Sequence, residues 1–534
     1  MARPIARLNV ARVRLLLALA LSLLALALRW PYLIDVPRFT DESGEVLWAW
    51  HIAQGKEFPL HGVRTYIGIV HPYLLAALMR LFGPSPFVPR SMMAVLGAAL
   101  AGVVAWLAWA MAQRSMGERR AEAIDRGRAD GRPAHDIIPA LVAGLLTATS
   151  FPLILINSHI SWSNCLTPLF TTLALGATWA ALTYARPSWL VGAGFLWGVA
   201  LQTHPAVFPF LPGVALWILW QPVGRTWLRT RWVWLALLAF VAAYSNLLWV
   251  IISGNSEPLG PATSERFQLA PSLVEFGQRL ATAGIQLGRM LTGSYVPVEG
   301  PDTPVIVTPL APLYLAAAVV ALAWAARRRA ATILPTVVVS GILVMAAANN
   351  TLDIQRTFAA VYDERYLSPL LPLIYIAIGL AVGEAWGRWP RVGQLGLVVV
   401  VAALSLTPVV ALAGFYERSV TRDVTNEPFL AIAAAAREHV ARGGVILIDK
   451  EAIQTKMGGA RTEFDVVDYL LKLDDVPYLY LRIDKLRYYL ANNDAPMLLI
   501  LGSAAAKELV PAYSLTPLPL GVGDYTVYLA PAAR

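Results

Sequence analysis

Long apolar runs, separated by short loops rich in arginine, fill the first 413 residues of the chain. A membrane-spanning helix needs about 20 mainly apolar residues, and about eleven runs approach that length. They are 13–34, 90–112, 137–156, 163–184, 189–203, 205–220, 232–252, 307–326, 332–348, 367–386 and 393–413. The pair 189–203 and 205–220 is short and interrupted by proline, so it also fits a bent hairpin. The pattern predicts a multispanning α-helical membrane protein.

The first run allows two interpretations. Its strongest part, 15–28, is short and contains Ala25-Leu26-Ala27, which fits a cleaved signal peptide. The tripeptide Trp30-Pro31-Tyr32 that follows is typical of an aromatic anchor at the membrane interface, and Arg29 is long enough to snorkel. We therefore expect a retained first span.

The arginines fix the predicted orientation. Short basic loops face the cytoplasm, and a cytoplasmic N-terminus places every strongly basic loop there: 114–132, 186, 225–231, 327–329 and 388–391. The apolar segment "HPYLLAALMRLFG", His71 to Gly83, is too short to cross and is interrupted by Arg80, so we expect it to lie on the outer surface. The loop at Asp41, the later loops 157–163, 253–306 and 349–366, and the C-terminal tail then face outward.

The composition changes near residue 414. "GGVILIDK", "VPYLYL", "APMLLILG" and "GDYTVYLA" have the pattern of strands, and "FLAIAAAAREHVA" that of a helix. The sequence thus predicts a transmembrane domain, 1–413, and a small extracytoplasmic α/β domain, 414–534.

Composition narrows the function classes. Hydrophobic residues make up 57% and charged residues 14% of the chain, whereas soluble domains carry about 25% charged residues. The net charge of +9 comes mostly from loop arginines that set topology, so nucleic acid is not an expected partner. Cys165 is the one cysteine, which excludes an internal disulfide and favours a packed thiol. The sequence has no G-x-x-x-x-G-K-[ST] phosphate loop and no D-x-D acidic pair.

The stretch "RFTDESGEVLWAWHIAQGKEF" predicts a short helix just beyond the first span. Thr40, Asp41 and Ser43 suit an N-cap, Gly55 suits a helix end, and positions 46, 47, 50 and 53 give one apolar stripe. On that helix Asp41, Glu42 and Glu45 cluster near the start. The alternative is a capped helix with solvated acids.

Further polar residues recur in the predicted outer segments. They are Lys56, His71, His159, Asn164, His204, Arg356, Arg365 and Tyr366. Burying each one unpaired would be costly, so we expect many of them to converge around a cavity. Singly, Arg365 could be an interfacial anchor, His204 a cap beside Pro205, and His159 a hydrogen-bonded turn residue. The histidines lack metal-ligand spacing, so no metal site is predicted.

The acidic pair after the first span, then "HPYLLAALMRLFG", then "RYLSPLLPLIYIAIG", together resemble the GT-C glycosyltransferases. The most similar type is the dolichyl-phosphate-mannose protein mannosyltransferases of glycosyltransferase family 39, and bacterial aminoarabinose lipid A transferases look like relatives. The resemblance covers about residues 1–413. It lies in the combination and order of the motifs.

The resemblance implies an enzyme whose site faces outward and whose donor is a sugar on a polyprenyl phosphate. By position, Asp41 would be the general base and Glu42 would hold the acceptor. His71 would lie near the donor phosphate, and Arg365 and Tyr366 match the family's "R-Y". Relatives often have an acidic residue in the loop that here carries Asn164, so a second acid and a divalent cation remain open.

The chemistry fits these residues. Polyprenyl phosphate is a good leaving group, so cations must stabilise its developing charge: Arg365, with Arg356 or His71. We expect Tyr366 to belong to the same phosphate-binding set. We expect Glu45, Lys56, His159, Asn164 and His204 to position the acceptor or another part of the substrate. The acceptor could be a protein, a glycolipid or a polysaccharide. The alternatives are a transporter or flippase with acids along its path, and a scaffold that presents the C-terminal domain.

Overall fold

The structure, a computed structural model, describes most of the chain. The described residues are 2–39, 42–125, 137–254, 268–293, 310–349, 352, 362–421, 425–450, 463–522 and 525–530. They form two compact units, each assembled from separate stretches of sequence. The predicted division at 413/414 stays a prediction.

The first unit consists of Met1–Leu33, Pro59–His71 and Arg90–Arg418 and is almost wholly helical. The described α-helices up to residue 421 are α1 Ala2–Arg29, α2 Glu42–Ala53, α3 Val70–Phe82, α4 Phe87–Asp125, α5 Ile137–Thr149, α6 Phe151–Ser158, α7 Thr167–Thr183, α8 Trp189–Thr203, α9 Leu211–Trp220, α10 Pro222–Trp227, α11 Arg231–Ile252, α12 Leu273–Thr292, α13 Ala311–Ala326, α14 Ile333–Ala348, α15 Leu371–Arg388 and α16 Arg391–Thr421. Of these, α2 belongs wholly, and α3, α4 and α16 partly, to the second unit. Short 3₁₀ segments cover Ser163–Leu166, Pro205–Phe210, Arg329–Ala331 and Tyr362–Leu370.

Each apolar run of the sequence contains α-helix in the part of the chain that the structure describes. By length and composition, six described helices could cross a bilayer, or seven if the pair α5 and α6 counts as one span. The remaining runs are apolar helices of 10–17 residues. The multispanning helical fold is confirmed, and the number of crossings stays a prediction.

The run 137–156, which the sequence predicted as one span, is a pair of helices that bend against each other. α5 ends at Thr149, Ser150 has an extended backbone, and α6 starts at Phe151 with Pro152 in its first turn. The two axes differ by 53°. Proline has no N–H to bond the carbonyl four residues earlier, which is that of Ala148, and this breaks the helix.

Helix α12 lies inside the segment 253–306, which the sequence analysis treated as a loop. The side chain of Ser272 accepts a hydrogen bond from the backbone N–H of Glu275 at 3.1 Å, and Gly293 ends the helix with a φ of 71°. Ser-x-x-Glu and a terminal glycine are the start and stop signals of a helix. Its charged residues lower the hydropathy, which hid it among the apolar runs.

The second unit consists of Ile34–Phe58, Pro72–Pro89 and Ser419–Arg534. After α2 and α3 it contains α17 Glu427–Ala441, β1 Val445–Asp449, α18 Glu463–Leu473, β2 Leu479–Leu481, α19 Ile483–Asn492, β3 Met497–Gly502, α20 Ser503–Tyr513, β4 Thr516–Val522 and β5 Tyr525–Ala530. The strand order is β2-β1-β3-β5-β4, with β2, β1 and β3 parallel and the last two pairings antiparallel.

The predicted α/β domain is confirmed, and so are its four predicted strands and the helix α17. The central strands β1 and β3 read as continuous apolar runs because both of their faces are covered. The edge strand β4 was missed. Its Pro517 and Pro519 disfavour a strand in general, but an edge strand tolerates them because one row of its N–H groups needs no ladder partner.

Candidate functional site

In the first unit, a buried arginine replaces the hydrogen bond that is missing at the bend between α5 and α6. Arg29 is fully buried, and its Nη1 donates to the carbonyls of Ala148 at 3.2 Å and Ala25 at 3.0 Å. Its Nε donates to Oγ of Ser158 at 3.0 Å, and its Nη2 to the carbonyl of Leu153 at 3.3 Å. These bonds fix both sides of the bend, and the loop 159–163 begins directly after α6.

The loop that follows α6 brings Ser161 and Trp162 to predicted site residues. Oγ of Ser161 lies 3.0 Å from Nε2 of the buried His71. The ring of Trp162 lies under the guanidinium of Arg365, with Cζ 5.0 Å from the ring centroid. His71, 90 residues from Ser161 in the chain, and Arg365 therefore meet consecutive residues of one short loop.

Arg365 is held by aromatic rings as well as by a hydrogen bond. Its Cζ is 4.9 Å from the ring centroid of Tyr366, and its Nη2 donates to the Tyr366 hydroxyl at 3.1 Å. The Tyr366 ring stacks on His204 with a centroid distance of 5.1 Å. The guanidinium is thus oriented on two aromatic faces and is half-buried, as suits recognition of an anion.

The structure contains both local roles considered for these histidines: His204 is a cap, and His159 is hydrogen-bonded at a turn. Nδ1 of His204 accepts the N–H of Ala206 at 3.0 Å, so this ring caps the segment Pro205–Phe210 while it stacks on Tyr366. The fully buried His159 donates from Nε2 to the carbonyl of Arg29 at 2.7 Å. Both rings support the local structure, and their proposed role with the acceptor stays a prediction.

Asn164 and Cys165 follow at the start of the segment Ser163–Leu166. Asn164 is half-buried, and Cys165 is buried with its thiol donating to the carbonyl of Ile156 at 3.0 Å. The expected packed thiol is confirmed. Among the described residues, no group of three or more histidine, cysteine or acidic side chains could hold a metal ion.

Sequence reasoning missed the polar face of α12. Arg279, Gln286 and Arg289 are buried there at 4%, 1% and 1% exposure, and α12 packs against the segment Tyr362–Leu370 that carries Arg365. Fully buried charged side chains are rare in proteins, so this face is a further candidate part of the site. The capping pair Ser272 and Glu275 was the signal in the sequence that could have revealed this helix.

The second unit contains the carboxylates of the first loop. Glu42 and Glu45 are buried on α2 at 1% and 8% exposure, so the alternative of solvated acids is wrong for both. Of the predicted stripe at 46, 47, 50 and 53, Val46 alone is buried, and the buried face is formed by Glu42, Ser43, Glu45, Val46, Ala49 and Ile52. Lys56 is exposed, with Nζ 4.0 Å from Oδ1 of Asp475. Asp41 and Arg356 lie outside the described residues.

Comparisons with known proteins agree with this architecture. Residues 132–249 match the family model described as dolichyl-phosphate-mannose-protein mannosyltransferase. No curated protein matches the chain in sequence.

Two solved structures resemble the chain over its whole length. The crystal structure of ArnT from Cupriavidus metallidurans bound to undecaprenyl phosphate is similar with a TM-score of 0.53 and 13% identity, covering 100% of this chain and 99% of that one. The apo state of the same protein gives 0.55 and 12%, covering 99% of each. The chain is therefore a helical membrane protein with an ArnT-like fold, and residues 132–249 resemble the protein-mannosyltransferase family; both findings agree with the resemblance predicted from the sequence.

Proposed function

We propose that the protein is a membrane glycosyltransferase that transfers a sugar from a polyprenyl phosphate to an acceptor outside the cytoplasm. The observation that carries the proposal is the setting of Arg365 on Trp162 and Tyr366, beside the loop that meets His71. Undecaprenyl phosphate is bound in one of the similar ArnT structures, which supports a donor of this class. The sugar is a hexose or a pentose, and the acceptor a protein, a glycolipid or a polysaccharide.

Arg365 stabilises the leaving group in this proposal. Cleavage of the bond between the anomeric carbon and the phosphate oxygen leaves the electron pair, and a second negative charge, on the phosphate. A guanidinium with fixed geometry stabilises that charge without having to reorganise. Tyr366, His71 and Arg356 complete the phosphate end, and the buried Arg289 on α12 is a further cation for it.

Asp41 acts on the acceptor. Its carboxylate takes the proton of the acceptor hydroxyl while the hydroxyl oxygen attacks the anomeric carbon from the face opposite the phosphate. One displacement inverts the configuration at that carbon, and Glu42 orients the acceptor. A positioned general base typically contributes about 10²–10⁴-fold to the rate.

The proposed orientation follows from the arginine loops. The N-terminus is cytoplasmic in this arrangement, and the C-terminal α/β domain and the loop at Asp41 face outward. The protein then resides in the cell membrane, where both a lipid-linked donor and an envelope acceptor are available.

Release of undecaprenyl phosphate from undecaprenyl-phosphate sugars tests the proposal. The enzyme in nanodiscs receives hexose and pentose donors, with a membrane extract as the acceptor. We expect turnover by the wild type and a loss of at least about 100-fold in Asp41→Asn, with donor affinity retained. The matched control is Asp494→Asn, the same change at an exposed residue of the second unit, and it should leave turnover unchanged.

Two results would contradict the proposal in different ways. Full turnover by Asp41→Asn would reject Asp41 as the base and leave the transferase intact. Absence of turnover by folded wild type with every donor would reject the transferase itself.

A further inference from the structure

Asn426 uses its whole side chain to hold the first loop. It is fully buried, and its Nδ2 donates to the carbonyls of Ile34 at 2.7 Å and Pro37 at 3.0 Å. Its Oδ1 accepts the backbone N–H of Phe39 at 2.9 Å. Its own backbone N–H donates to the carbonyl of Asp35 at 2.9 Å. Four hydrogen bonds thus join one residue of the C-terminal segment to the six residues 34–39, all within the second unit.

This use of Asn426 is unusual for its position. Asn426 is the N-cap of α17, and its carbonyl accepts the first helical bond from Leu430 at 3.0 Å. An asparagine at an N-cap normally accepts a hydrogen bond from an N–H group of the first turn. Here its side chain makes no capping bond and turns to the segment 34–39 instead. The N-terminus of α17 therefore has no side-chain cap from Asn426, and that side chain holds the segment 34–39 instead.

Further contacts within the second unit hold the chain on both sides of α2. The guanidinium of Arg38 lies 5.4 Å from the ring centroid of Phe429, and Phe39 packs edge-on against Tyr469 at 5.4 Å. After α2, Nε2 of Gln54 donates to Oδ2 of Asp475 at 2.9 Å. The C-terminal residues therefore hold the chain before and after the helix that carries Glu42 and Glu45.

We propose that Asn426 is a positioning residue for the carboxylates of the first loop, and that the C-terminal domain is required for catalysis through this contact. The inference rests on the proposed function. Phe39 precedes Asp41 by two residues in the sequence and the buried Glu42 by three, so the backbone that Asn426 holds leads directly into both. A general base acts only within hydrogen-bond reach of its proton, and a shift of about 1 Å can lower the rate 100-fold.

Three variants separate positioning from folding. Asn426→Ser keeps a small polar residue at the N-cap of α17 but removes both Nδ2 donors to Ile34 and Pro37. Thermal unfolding of this variant measures how much of it is folded. Asn426→Asp keeps the acceptor for Phe39 and places a negative charge against the carbonyls of Ile34 and Pro37. Asn492→Ala is the control, because this exposed asparagine bonds only a carbonyl of its own helix, that of Tyr488.

The first readout does not depend on activity. Hydrogen–deuterium exchange of the peptide 34–40 reports the N–H of Phe39, and we expect at least tenfold faster exchange in Asn426→Ser and no change in Asn492→Ala. The second readout is the split of the kinetic constants. We expect kcat, counted per undecaprenyl-phosphate binding site, to fall at least tenfold while the donor KM and the affinity for undecaprenyl phosphate stay within twofold. Counting enzyme by its binding sites removes the contribution of unfolded protein, which would lower the apparent kcat at unchanged KM.

Each outcome of the two readouts either supports or overturns the inference. Faster exchange with a lower kcat supports the inference. Unchanged exchange overturns it whatever the activity, and faster exchange with an unchanged kcat overturns the positioning role. If the wild type transfers no sugar from any donor, the proposed function fails first, and the exchange data still decide whether Asn426 holds the loop.

Discussion

Arg29 supplies to the carbonyl of Ala148 the hydrogen bond that Pro152 cannot. The distance from Nη1 to that oxygen is 3.2 Å, and both groups are buried. An unsatisfied buried carbonyl costs about 1–3 kcal/mol, so a helix can break here only if another donor replaces the missing N–H. The break in turn sets the direction of the loop that carries Ser161 and Trp162.

Replacing Arg29 with methionine should therefore destabilise the first unit. Methionine fills a similar volume but donates nothing, and we expect the free energy of unfolding to fall by about 2–4 kcal/mol. Arg29→Lys should lose less, because an ammonium keeps part of the set of donors. Thermal unfolding in nanodiscs measures the differences.

A double-mutant cycle with Pro152→Ala checks the cause. Alanine returns an N–H to position 152, so Arg29→Met should be less destabilising in that background than in the wild type. Equal losses in both backgrounds would show that the two residues do not share the carbonyl of Ala148.

Gly97 and Gly117, both on α4, should respond in opposite ways to alanine. A Cβ at Gly97 would collide with Oγ of Ser158 and crowd Nε of Arg29, whereas a Cβ at Gly117 meets nothing. We expect Gly97→Ala to lower stability by about 1–3 kcal/mol and Gly117→Ala to raise it by about 0.5–1 kcal/mol. Thermal unfolding of the two variants measures both changes in stability. A tolerated alanine at position 97 would mean that α4 does not approach the bend closely.

The sequence predicted the features that are local. Gly55 marked the end of α2, with a φ of 72°, and alternating and apolar runs marked four of the five strands. Contacts between residues that are far apart in the sequence could not be predicted. Asn426 and Phe39 lie 387 residues apart, and nothing in either local pattern pairs them. The bend at Ser150 was visible in principle from Pro152, but a uniformly apolar run gives a break no hydropathy signal.

The stability of the second unit should fall in alkali through Tyr478 and Tyr480. Both hydroxyls donate to Oδ1 of Asp468, the Tyr480 bond measuring 2.6 Å. Burial, and then the bond to this carboxylate, raises the pKa of each phenol well above its usual range. The unfolded chain loses these protons first, so stability is complete below about pH 10 and decreases as the pH rises above it.

Tyrosine absorbance measured against pH, alongside unfolding, tests this coupling. Asp468→Asn should lower the pKa of both phenols and flatten the alkaline decrease in stability, and Tyr480→Phe should do so in part. An alkaline profile identical in wild type and Asp468→Asn would remove the carboxylate as the cause.

Substitution of Arg365 distinguishes a role in binding an anion from a role as an interfacial anchor. Arg365→Ala should weaken binding of undecaprenyl phosphate at least tenfold, about 1.4 kcal/mol, because the guanidinium on Trp162 and Tyr366 is lost. Arg365→Lys should bind undecaprenyl phosphate with an affinity between those of the wild type and Arg365→Ala, since lysine keeps the charge but neither stacks nor forms a bidentate bond. Titration of undecaprenyl phosphate in nanodiscs measures each affinity, and Arg186→Ala, at an exposed arginine, is the matched control. If Arg365→Ala and Arg186→Ala bind the lipid equally well, the rings of Trp162 and Tyr366 only anchor the end of a span, and the phosphate must be sought at another buried cation such as Arg289.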